Sequence, residues 1–421
     1  MEEEKKKINL FKKIAIMLSS VGPGLFLIGY NIGTGSVTTM ASAGSRYGMS
    51  LFWALLFSCI FTFIMLVAYG KYTLVTGKTA LHSFRIYFRF GSLLSIFIMI
   101  ALIVGELAAL MGVVGIVTDL IKEWSRFITQ SGEGFNQIVI SVVIVVSLYY
   151  IFWVGKYNFF EKVLIVFVIT MGISFIMSMI LVIPEPSVVI KGLVPKLPDE
   201  PNAHLIAAGM AGTTLSAAVF IIRSIVVSEK GWGVNNLRLE AKDAFVSATM
   251  MLILSAAVMA CAAGTLYPRG IGVERAVDMV TTLEPLAGRF AISIFVAGVV
   301  SAGISTVFPI ILIAPWLICD YMNIPRDIRS PLFRILGAIG ILFGLFVPIF
   351  GGRPVWIMIA SQAFQATIMP MVTITMIILL NRKDIMGNHS IGFWMNLGCW
   401  LTFIFSLIMA YAGIIGLRDY F

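Results

Sequence analysis

Four consecutive small residues, Gly33-Thr34-Gly35-Ser36, stand inside an apolar segment that starts near residue 14. Glycines let backbone amides approach a ligand, and a helix restarting after them presents unpaired N–H groups and partial positive charge. Asn31, Gly33, Thr34, Gly35 and Ser36 are therefore candidates for a binding lobe of amide, hydroxyl and backbone groups. A second apolar segment is interrupted at Gly209, Gly212, Thr213, Thr214 and Ser216, adding Thr213 and Ser216 to the candidates. Gln362 lies one turn into a third, where an amide costs free energy unless it meets a partner or a wet cavity.

Charged and hydroxylic residues elsewhere suggest coupling chemistry. Glu106 is the acidic residue deep within an apolar segment, which makes it a functional candidate and a possible proton acceptor unless a Lys or Arg pairs with it. Ser305 and Thr306, together with carbonyls near Gly29 and Ile32, could hold sodium, or their hydroxyls could bond back onto their own helix. Uncoupled facilitation is the third option. Arg223, near a segment end, is a gating or charge candidate.

Other chemistries lack their residues. Cys59, Cys261, Cys319 and Cys399 are far apart with no Cys-x-x-Cys spacing, and His82, His204 and His389 form no paired motif. No nucleophile, base or metal cluster stands at the breaks, so no enzyme activity, cofactor or resident metal is expected.

The elements that position these residues are membrane helices. Of 421 residues, 59% are hydrophobic and 12% charged, against ~25% charged in soluble domains. Apolar runs long enough to cross a bilayer recur over about eleven spans: 14–41, 50–76, 92–121, 136–154, 162–183, 203–228, 244–267, 288–318, 332–350, 355–380 and 392–416. The expected fold class is all-α and polytopic, a single transmembrane domain over 1–421. Its halves are 14–183 and 203–380, with 392–416 appended. Interrupted spans at corresponding positions, first and sixth, mark an inverted-repeat transporter with its substrate at the breaks. Close helix packing is the other use of such small residues.

The net charge of +9 does not indicate nucleic acid. About 19 Lys and Arg fall on the N-terminal side of the membrane and about 10 opposite, as the positive-inside rule requires. A cytoplasmic N-terminus, extracytoplasmic C-terminus, plasma (inner) membrane location and monomeric state are expected. The partners are the lipid bilayer and a small-molecule or ion substrate, and no cleavable signal precedes the first span.

Gly22-Pro23-Gly24, Gly29-Tyr30, Gly33 to Ser36, Thr39, Ala43-Gly44 and Tyr47-Gly48 together resemble the first span of the Nramp metal transporters. Ala302-Gly303-Ile304-Ser305-Thr306, Ser361-Gln362 with Pro370, and the stretch from Leu380 to Gly387 resemble them too. The resemblance implies the LeuT-type fold of five plus five helices. It also exposes departures. Gly33 stands where the family has its metal-binding Asp, and Ser36 where it has Asn. Ser216, Ala217 and Ala218 replace Met-Pro-His, and Arg223 replaces a His tied to proton movement. The family's acidic pair in the third span falls on Glu106 and Ala109, while the Gln survives as Gln362.

With no carboxylate or sulfur at the breaks, a dehydrated divalent cation lacks ligands there. The sequence alone thus favours a secondary transporter of a small carboxylate-bearing solute, such as an amino acid, held at Gly33-Thr34-Gly35. The alternative is a divalent cation, Mg²⁺ or Mn²⁺, as the resemblance implies.

Overall fold

The computed structural model describes residues 33–126, 128–129, 132–154, 186–281 and 284–420, with isolated positions between 166 and 180. Among them, nine helical segments are long and apolar enough to cross a membrane. They match the expected spans two to four and six to eleven. The first half of span one, with Asn31, and span five lie outside the described residues.

Helix α1 (Thr34–Tyr47) starts on Gly33, whose extended backbone (φ −85°, ψ −169°) sets it as N-cap without a side-chain bond to the first turn. Helix α2 (Phe52–Thr76) ends at left-handed Gly77, and α3 (Ala80–Tyr87) is a short connector. Helix α4 (Gly91–Ser125) has 35 residues, roughly 52 Å of rise. Phe90, Leu93, Phe97, Ile100 and Val104 recur at intervals of three and four and are exposed. That stripe faces the hydrocarbon, whereas the opposite face, with Glu106 and Ala109, is buried. Helix α5 (Gln137–Val154) packs beside it.

The sixth span is two helices. Helix α6 (Ala203–Thr214) stops at Leu215 (φ −96°, ψ 57°), Ser216 is extended, and α7 (Ala217–Glu229) resumes. The break falls where Gly, Thr and Ser accumulate, because these residues lose least by leaving the helix. The most apolar stretch of α6 and α7 is wholly buried, so the interruption is covered by protein, as a break at membrane depth must be. The α6 end gives its Thr214 carbonyl to the Thr62 hydroxyl of α2 at 2.9 Å.

Helix α8 (Leu237–Thr265) lies against α1 and α2. Helix α9 (Glu284–Met322) runs through Pro309 and Pro315 unbroken, and α10 (Pro331–Phe343) starts on a Ser330 cap with Pro331 in its first turn. Helix α11 (Pro354–Asn381) is the hub, touching α12 (Phe393–Tyr420), α6 and α4. Its approach to α6 needs Gly212: a Cβ there would lie 1.8 Å from the Gln362 carbonyl oxygen. The far end of α1 is tied down by an Arg46–Glu274 ion pair. Glu274 also accepts a hydrogen bond from Trp356 Nε1 at 2.7 Å.

Candidate functional site

A cavity of about 20 Å³ lies where α1, α6–α7, α4, α9 and α11 meet, lined among others by Gly35, Ser36, Glu106, Thr213, Ser216, Thr306, Met358 and Gln362. That volume admits a bare cation or a single water. Helix α1 contributes its first turn, because the chain becomes helical only after Gly33. Helix α6 contributes Thr213 from its last turn, where carbonyls lack helical partners and carry partial negative charge. Ser216 sits in the extended link.

A hydrogen-bonded chain crosses the cavity wall. Ser216 Oγ donates to Gln365 Oε1 at 3.0 Å, and Gln365 Nε2 donates to Glu106 Oε1 at 2.8 Å. One turn earlier on α11, Gln362 Nε2 points at Met358 Sδ, 3.6 Å away, which directs its carbonyl oxygen elsewhere. Ser36 and Ser255 pair through their hydroxyls at 3.0 Å. Glu106 is 3% exposed, so its carboxylate acts through protein rather than through water, where charge–charge effects are strongest.

Seven of the residues singled out in the sequence line this cavity: Gly35, Ser36, Glu106, Thr213, Ser216, Thr306 and Gln362. Gly33 and Thr34 stand behind it. A Cβ on Gly33 would fall 1.7 Å from Thr306 Oγ1, and one on Gly303 would fall 2.8 Å from Thr34 Oγ1. Gly33 therefore fills a packing role against α9. Ser305 and Thr306 both donate to the Ala302 carbonyl, at 2.8 and 2.7 Å, which is the bonding back onto their own helix that the sequence allowed. Arg223 lies elsewhere, fully buried and ion-paired with Glu240 and Asp243.

The expectation of a site without carboxylate or sulfur is corrected by this geometry. Glu106 arrives from α4 and Met358 from α11, so both reach the breaks across space. Met358 and Gln365 were missed as site residues. Their signal was spacing, since Met358, Gln362 and Gln365 fall at intervals of four and three on one helical face. Among the described residues no three His, Cys, Asp or Glu side chains converge on one point. Among the described residues that line the cavity, the donor set is a carboxylate, a thioether, an amide and hydroxyls. A substrate carboxylate beside buried Glu106 would meet like charge, whereas a cation would be attracted.

The chain is 22% identical to a divalent metal cation transporter MntH of Listeria welshimeri, over 96% of this chain and 90% of that one. It is 23% identical to the protein of that name in Nostoc, over 92% and 88%. The Eremococcus coleocola manganese transporter superposes with a TM-score of 0.74 at 14% identity, covering 94% of this chain and 86% of that chain. A nucleobase-cation-symport-1 family transporter superposes at 0.61, also at 14% identity, covering 95% and 91%. These likenesses show the LeuT-type all-helical fold, in which the described sixth span is broken at Leu215–Ser216. The expectation of an amino-acid or other carboxylate-bearing solute is overturned: the sequence relatives are named for metal cations. The error came from treating loss of the acid at Gly33 as loss of every acid in the site. The family model for natural resistance-associated macrophage protein-like chains matches residues 24–416, and the chain, a multi-pass integral membrane transporter, belongs to the Nramp family.

Proposed function

We propose that this chain is a secondary transporter of a divalent transition-metal cation, such as Mn²⁺, working by alternating access. The observation that carries the reading is the buried Glu106 carboxylate, which shares an ion-sized cavity with the Met358 thioether and the Gln362 amide. A carboxylate supplies charge compensation and a thioether favours softer cations over Mg²⁺ or Ca²⁺. Ser36, Thr213, Ser216 and Thr306 offer hydroxyl oxygens, and the end of α6 adds carbonyl dipoles of the sign a cation prefers. Glu106 supplies the anionic wall and is oriented by the neutral Gln365 amide, which Ser216 holds in place.

Opening the site requires the half-helices α1 and α6–α7 to tilt about Gly33, the N-cap of α1, and about Leu215–Ser216, where the sixth span leaves helical geometry. The repeats 14–183 and 203–380 supply the two moving sets, with 392–416 outside them. The Lys and Arg bias supports a plasma-membrane transporter with a cytoplasmic N-terminus and an extracytoplasmic C-terminus. The protein acts as a monomer.

The test is uptake into proteoliposomes of the full chain, with Mn²⁺, Cd²⁺, Mg²⁺ and a set of amino acids. Saturable Mn²⁺ and Cd²⁺ uptake that amino acids do not inhibit supports the reading. Absence of divalent-cation uptake under conditions where the purified chain melts cooperatively would overturn it.

A further inference from the structure

Where α5 ends and α10 begins, the Arg334 guanidinium lies over the Trp153 ring, 4.0 Å from Cζ to the ring centroid. The two helices are fastened to each other here. Tyr149 Oη donates to the Arg334 carbonyl at 3.3 Å, and a Cβ on Gly337 would fall 2.5 Å from Phe152 Cε1. The guanidinium itself is left without an anion. Arg46, Arg126, Arg223, Arg326 and Arg382 each pair with a carboxylate, whereas no carboxylate among the described residues pairs with Arg334. Its Nε is buried with no hydrogen-bond partner. The residue as a whole is half-buried, so its Nη end reaches the surface.

An indole face attracts the cation but accepts none of its in-plane N–H bonds. A Trp at the end of a span marks the boundary between hydrocarbon and headgroups. The acceptors at that depth are lipid phosphodiester oxygens, and the guanidinium fork matches two of them at once. Beside the pair, each helix carries a stripe of exposed apolar side chains: Val146, Tyr150 and Trp153 on α5, and Ile335, Ile339 and Leu342 on α10. Both stripes begin at the Arg334–Trp153 contact and run roughly 10 Å along their helices. Acyl chains have a use for such stripes, and free phosphate has none.

We propose that Arg334 and Trp153 form a binding site for an anionic phospholipid, with its phosphodiester on the guanidinium and its acyl chains along α5 and α10. A zwitterionic lipid carries an ammonium that competes for the same phosphate, so a headgroup of net negative charge binds better. None of the residues that line the cation cavity takes part, and the site holds lipid whether or not a metal is bound.

The test is native mass spectrometry of the purified full chain in neutral detergent. Phosphatidylglycerol or phosphatidylcholine with the same acyl chains is added, and inorganic phosphate serves as competitor. The wild type should bind its first phosphatidylglycerol about fivefold more tightly than phosphatidylcholine, the worth of one interfacial cation. Arg334→Gln should lose that preference, and Arg382→Gln, whose arginine already pairs with Asp384, should keep it. A second arm needs no variant and so holds even where Arg334→Gln fails to fold. Phosphatidylglycerol with a photoreactive group in its acyl chain should label the wild type within 143–154 and 331–343. No preference in the wild type, a preference kept in Arg334→Gln or lost equally in Arg382→Gln, displacement by inorganic phosphate, or labelling confined to other helices overturns the proposal.

Discussion

Gln365 donates to Glu106 across 2.8 Å, fastening α11 to α4 at the wall of the cavity. The other end of the same amide accepts from Ser216, in the link between the half-helices. One side chain thus orients the carboxylate and senses the break in the sixth span. Supporting bonds of this kind set the direction and basicity of a metal-binding group.

Replacing Gln365 by Leu removes both bonds and keeps most of the volume. Affinity for Mn²⁺ should fall by roughly 10–100-fold, the usual cost of losing a bond that orients a ligand. Calorimetric titration of the purified variant checks this, and an unchanged affinity would mean that Glu106 is held by other groups.

Met358 points its sulfur toward the Gln362 amide inside the lining. Met358→Leu should weaken Cd²⁺ binding by about tenfold, ~1.4 kcal/mol, without a matching change in competition by Mg²⁺. The thioether matters only to a soft cation. Competition of Cd²⁺ and Mg²⁺ against Mn²⁺ uptake reads the difference, and equal losses for both ions would assign Met358 to packing.

Gly33 abuts Thr306 so closely that a Cβ has no room. Gly33→Ala should cost about 1–3 kcal/mol of stability through overpacking, seen as a lower melting temperature. Thr306→Ala in the same chain removes the nearest atom and should recover part of the loss, a non-additivity that marks direct contact. Additive effects of the two substitutions would place the strain elsewhere.

The helical architecture was legible because each span carries enough apolar residues to cross a bilayer, a signal that survives without knowledge of neighbours. The break at Leu215–Ser216 was legible for a similar local reason, since Gly212, Thr213 and Thr214 weaken the helix from within. The site's chemistry was not. Met358 sits in an apolar helix, where a methionine reads as packing, and nothing local says that it lines a cavity beside Gln362. Glu106 was visible as a buried charge, but its place beside Ser216 depends on how α4 and α7 meet α11. Arg223 looked like a charge at a segment end. Its partners Glu240 and Asp243 lie beyond a turn on the next helix, and only packing shows that all three are dry.

The claim that one carboxylate makes this a cation site is tested most directly at Glu106. Cd²⁺ binding to the purified full chain, measured by calorimetry in wild type and in Glu106→Gln, isolates the charge because the substitution keeps the shape. The account predicts binding in the wild type and a loss of roughly 100-fold or more in the variant, as expected when a buried charge loses an opposite charge beside it, with both proteins melting cooperatively. Equal affinity in the two proteins would contradict it.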